Sequence, residues 1–126
     1  MKERAKEVRT AKRKGTDAGL ADVLEKIAEM PDADREIAET IHAIVTEVAP
    51  DLAPKTWYGQ PAYARNGKVV LFFQASSKFK TRYATLGFNE DATLDDGAMW
   101  ATAFAVTAVT PAVEKQIRAL VAKAAG

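Results

Sequence analysis

At 126 residues the chain has the length of one domain and can bury a core without covalent staples. Its formal net charge of +1 excludes the domain-wide basic field of a nucleic-acid binder, so nucleic acid is an unlikely partner. The absence of cysteine excludes disulfides, thiolate metal sites and a cysteine nucleophile, and fits a reducing, cytoplasmic setting.

No apolar run approaches the ~20 residues of a bilayer span, so no membrane segment is expected. The opening stretch MKERAKEVRTAKRK is rich in Lys and Arg and has Val8 as its only strong apolar residue after Met1. It cannot bury enough surface to offset the entropy of ordering. A poorly packed basic arm is therefore expected over residues 1–19, with a single domain over 20–126.

Leu20, Val23, Leu24 and Ile27 have the spacing of one helix face, closed by Pro31. Asp32 has the character of an N-cap for a second helix with the stripe Ile37, Ile41, Ile44, Val45 and Val48. After Pro54 the pattern turns extended. TWY and AYAR read as short strands interrupted at Gly59 and Pro61, and Asn66-Gly67 is a two-residue hairpin signal. KVVLFFQ, without alternation, predicts a central strand buried on both faces, Phe72 included. KFKTRYATLGF, residues 78–88, predicts another strand, and TAFAVTAV a last one. Thr110-Pro111 starts a C-terminal helix striped by Val113, Ile117, Leu120 and Val121. Two helices, a run of strands and one helix imply an α+β fold with a mainly antiparallel sheet of about five strands.

The blocks TWYG-PAY, GKVV-FFQ, KFKTRYATLGF and LDDGAMW-T-FA together resemble the YdhG-like bacterial domain of unknown function (DUF 1801), from about Leu20 to Ala124. The resemblance implies an antiparallel sheet flanked by helices, distantly frataxin-like. For one relative it implies a proposed role as an iron chaperone. Gln60, where the family has methionine, and Ala101, where it has proline, depart from its pattern. The resemblance carries over no catalytic residue.

Several constellations are candidates for function. Tyr58, Tyr63 and Trp100 offer an apolar body with one polar handle, and such residues line sites as well as fill cores. On a strand, Lys78, Lys80 and Arg82 would project from one face, roughly 6–7 Å apart. They would suit a phosphate or carboxylate. The plain alternative is a solvated strand end. Glu90, Asp91, Asp95 and Asp96 could supply oxygen ligands to a hard cation, although their spacing does not follow the EF-hand rule. A second acidic group, Glu25, Glu29, Asp32, Asp34, Glu36 and Glu39, resembles the acidic surface of frataxins in composition only. His42, the single histidine, lies off the stripe of the second helix and is expected to face water near Glu39. One histidine leaves none to spare for a hydrolase triad. No acid–base–nucleophile set stands out.

Two functional readings stand ahead of a third, an uncharacterised enzyme. In the first, a non-catalytic domain, a monomer or weak homodimer, holds a small anionic ligand or a protein segment beside the aromatics. In the second, a frataxin-like protein binds iron weakly through carboxylates. A positively charged pocket favours the first, and convergent carboxylates the second.

Overall fold

A computed structural model describes residues 18–126. The basic arm expected over 1–19 lies outside these residues, except that Ala18 and Gly19 already belong to the first helix, α1, residues 18–28. Gly19 is a packing position: a Cβ there would meet the Pro54 carbonyl oxygen at 2.1 Å, so only glycine lets this helix come so close to the chain at Pro54. The next helix, α2, runs Asp32–Val48. Its N-cap is Pro31 rather than Asp32, which instead holds Arg35 at 2.6 Å within the first turn.

Five strands follow: β1 Ala53–Trp57, β2 Gln60–Arg65, β3 Lys68–Gln74, β4 Ala84–Phe88 and β5 Ala103–Val106. They form one antiparallel sheet in chain order, so β3 is central, as its apolar run implies. Both tight turns have two residues at positive φ, the property of a type I′ hairpin, at Tyr58-Gly59 and Asn66-Gly67. Pro61 lies one position beyond the last β2–β3 pair, Ala62↔Phe72, where its missing N–H removes no rung of that ladder. The last helix, α4, runs Pro111–Ala124, and the Thr110 side chain accepts from the Val113 amide, as the Thr-Pro pair predicts. The architecture is α+β. No helix among the described residues is long and apolar enough to cross a membrane.

The helices cover one face of the sheet. Val23, Ile27, Ile37, Ile41, Ile44, Val45, Ile117 and Val121 pack there with Tyr63, Leu71, Phe73 and Leu86 from the strands. Leu24, expected in the α1 stripe, is 46% exposed. The other face carries only a small cluster of Ala62, Ala64 and Val69 under Trp57 and Phe72. The expectation that β3 is buried on both faces is therefore corrected. Its unbroken apolar run has a different cause. A register shift between Tyr63 and Ala64 leaves Val70 unmatched on β3, so the successive residues Val70 and Leu71 both reach the main core.

Phe72 is half-buried on the sparse face, its ring 5.0 Å from Trp57 and seated over Gly87. A Cβ on Gly87 would lie 2.3 Å from the ring. Gly87→Ala should therefore cost about 1–3 kcal/mol by overpacking, and much less in a Phe72→Ala background. Denaturant midpoints of the double-mutant cycle measure this. Additive losses would mean that the ring is free to move aside.

Candidate functional site

In an antiparallel meander, alternate connections share an end. The 58–59 turn and the β3–β4 connection lie at one end of the sheet, and the 66–67 turn and the β4–β5 connection at the other. This separates the candidate residues. Tyr58, Lys78, Lys80 and Arg82 fall at the first end. Trp100, Glu90, Asp91, Asp95 and Asp96 fall in the β4–β5 connection at the second.

The β3–β4 connection is not the strand expected from residue 78. Residues Ser76–Phe79 form a short helix, α3, closed by Lys80 at φ 53° and ψ 44°, and strand geometry starts only at Ala84. The alternation that would have lined up Lys78, Lys80 and Arg82 on one face is absent. The cause is Asp34 on α2. Its Oδ1 accepts from the Ser76 hydroxyl at 2.8 Å and the Ser76 amide at 3.3 Å, and its Oδ2 accepts from the Ser77 amide at 3.0 Å. These amides open α3, so the carboxylate acts as a cap supplied from another helix. Asp34 is 4% exposed. Burial pushes its carboxyl pKa up, but the hydrogen bonds from Ser77 and Ser76 outweigh it and hold the group below the usual carboxylate value.

With the connection folded this way, the Lys78 ammonium donates to the Tyr58 carbonyl at 2.6 Å. Tyr58 occupies the left-handed region at φ 54° and is 79% exposed. A side chain in that region costs about 1–2 kcal/mol, and the lysine contact fixes the turn in that state. Trp57 packs edge-on against Tyr58, centroids 4.9 Å apart. Lys78, Ser77, Ala75 and Gly59 form one wall of a cleft of about 250 Å3, and Lys26, Glu29, Met30 and Pro31 at the α1–α2 junction form the other. Lys26 is 3.8 Å from Glu29, and no carboxylate among the described residues pairs with Lys78, Lys80 or Arg82. Lys80 and Arg82 are exposed on the same connection, and Arg82 lies 5.3 Å over the Tyr83 ring.

The remaining candidates lie elsewhere. Tyr63 is 1% exposed on the helix-covered face, with its hydroxyl 2.9 Å from His42 Nδ1. His42 is therefore half-buried instead of facing water beside Glu39: the buried phenol needs a hydrogen-bond partner, and His42 at the margin of the stripe supplies one. Burial pushes the imidazole pKa down and the phenol pKa up, in each case favouring the neutral form. Gln60 is buried next to Trp57. Its Nε2 donates to the Trp57 carbonyl at 3.3 Å, while Oε1 has no partner among the described residues. Ala101 is exposed.

Glu90 and Asp91 line an open cleft of about 420 Å3 with Lys55 and Trp57, a lining that does not include Asp95 or Asp96. Among the described residues no three His, Cys, Asp or Glu side chains come together as a metal site. In the second acidic group, Asp34 is engaged by the serines, Asp32 by Arg35 and Glu29 by Lys26.

Sequence reasoning did not find Lys26, Gly59 and Ser77 as cleft residues, nor Asp34 as their organiser. No local pattern marks them, because each depends on a contact between distant segments. No family model, curated protein or solved structure matches the chain.

Asp34→Asn keeps the shape but removes the charge that accepts three donors. It should destabilise the fold by about 1–3 kcal/mol at pH 7. The folded-state pKa of Asp34 lies below its unfolded value, so the carboxylate's contribution is present above about pH 4 and is lost as pH falls through the folded pKa. Denaturant melts of both proteins should differ at pH 7 and differ by less at pH 2. An equal difference at both values would assign the loss to packing rather than charge.

Proposed function

We propose that this is a YdhG-like, cytoplasmic binding domain without chemistry of its own, which takes a small anionic group in the cleft between the α1–α2 junction, the 58–59 turn and α3. The observation that carries the reading is the setting of Lys78. Its ammonium is anchored by a backbone carbonyl and not neutralised by a described carboxylate, and it faces a cleft that also holds Ser77 and, on the opposite wall, Lys26 paired with Glu29. An ammonium has three donors, so two remain for a ligand after the Tyr58 contact. Ser77 adds a hydroxyl, and the exposed Lys80 and Arg82 raise the local positive potential that draws an anion in. The strained Tyr58 turn is consistent with a site, since costly backbone states concentrate where function requires them.

The iron-handling reading has less support. Its four proposed carboxylates sit in the β4–β5 connection, where Glu90 and Asp91 share a cleft whose lining does not include Asp95 or Asp96, and Lys55 stands beside them. A cation there would meet an ammonium.

A ¹H–¹⁵N NMR titration of the full chain with inorganic phosphate, and separately with citrate, tests the proposal. Saturable shifts are expected at Gly59, Ser77 and Lys78 with at least one of the two anions, weakening as salt is added. Lys78→Ala should weaken that binding roughly tenfold or more, because a charge-assisted hydrogen bond contributes about 1.5–3 kcal/mol. The thermal midpoint should move by only a few degrees. Shifts that are absent, unsaturable or unchanged in Lys78→Ala would remove the cleft from consideration.

A further inference from the structure

The two edges of the sheet differ in chemistry. The β1 edge carries Pro54 and Lys55, residues that discourage further strand pairing, and α1 packs against it at Gly19. The β5 edge has no such guard. From Gly97 to Val113 the chain has no charged side chain, although 28% of its residues are charged. β5, with the sequence AFAV, lies inside that run, and no described strand pairs with its outer edge. Ala103 and Ala105 are exposed, and just ahead of the strand Met99 and Trp100 are 88% and 37% exposed.

Beside this edge is a cleft with apolar walls. About 400 Å3 in volume, it lies between β5 and α4 and is walled by Phe104, Val106, Val113, Ile117 and Leu120, with no charged residue in its lining. A strand edge with no described partner beside an apolar groove suits a sixth strand that brings apolar side chains with it.

We infer that the occupant is a second copy of this chain, its β5 pairing antiparallel with the first across a two-fold axis normal to the sheet. Such an edge needs an uncharged, extended segment that itself has a free edge, and β5 is one. A two-fold contact places each residue near its own copy, so a charge near the axis would repel itself. The run from Gly97 to Val113 avoids this, and a net charge of +1 leaves little repulsion between whole molecules. Opposed residues of an antiparallel pair share a face. Pairing centred on Phe104 or Ala105 therefore brings the Phe104 and Val106 side chains of both copies together above the α4 groove, and the alanines together on the other face. The result is one continuous ten-stranded sheet. The cationic cleft at the 58–59 turn lies across the sheet from this edge and takes no part in the contact.

Sedimentation equilibrium of the full chain over micromolar to millimolar concentration tests the inference. The expected mass rises with concentration from monomer to dimer. Ala105→Lys, a change at an exposed position, should remain a monomer while keeping the wild-type circular dichroism and thermal midpoint. An equimolar mixture of Ala105→Lys and Ala105→Glu should recover the dimer. If Ala105→Lys does not fold, Ala103→Lys, on the same face, replaces it, with Ala103→Glu as its complement. A wild-type chain that stays monomeric throughout overturns the inference. So does a folded lysine variant that dimerises like the wild type, or a folded Lys/Glu mixture that stays monomeric.

Discussion

A buried carboxylate with three donors organises one end of this molecule. Asp34 stands in the first turn of α2, yet its partners are two amides and a hydroxyl from the connection between β3 and β4. A charge in that position is costly unless its oxygens are occupied, and open helix amides are costly unless they are capped. Each requirement is met by the other. The pairing ties the helical layer to the sheet end, turns Ser76–Phe79 into a short helix and delays the start of β4 to Ala84. Lys78 then reaches the Tyr58 carbonyl, and the cleft between the two turns and the α1–α2 junction acquires its cationic wall.

Much of the fold could be read from the residues because local signals and tertiary demands agree there. Asn66-Gly67 accepts two positive φ values at little cost, Thr110-Pro111 supplies a cap and a preset φ, and the isoleucine stripe of α2 buries as spaced. Three misreadings, at residues 78–83, Tyr58 and His42, share one physical cause, a distant partner overriding a local preference. Residues 78–83 have the apolar–cationic alternation of a strand, but the Asp34 cap favours a helix before that strand can form. Tyr58 is a poor residue for a left-handed turn, and its conformation is held by Lys78, twenty residues away. His42 is polar and off the stripe, yet it is drawn inward by the Tyr63 hydroxyl. The unbroken apolar run of β3 reflects a bulge rather than a second covered face.

The candidate site was legible only in part. Tyr58 and Lys78 do meet, and Lys80 and Arg82 stay on the same connection. Tyr63 and Trp100 belong to other regions, the first to the core and the second to the approach to β5. Trp57 is a packing residue set between Tyr58 and Phe72. The aromatic grouping around Gly59 and Pro61 thus combines two roles: Trp57 and Tyr63 cover opposite faces of the sheet, and Tyr58 is left at the tip beside the cationic wall.

The Asp34 contact is the premise for the placement of α3, Lys78 and the cleft, and it has a direct spectroscopic signature. A pH titration followed through the side-chain carboxyl ¹³C resonance of Asp34, with the Ser77 amide observed in parallel, measures it. A midpoint below the ordinary aspartate value of about 3.9 is expected, with the Ser77 amide shifting at the same midpoint as its acceptor is protonated. An ordinary or raised Asp34 midpoint, or a Ser77 amide indifferent to it, would contradict the account.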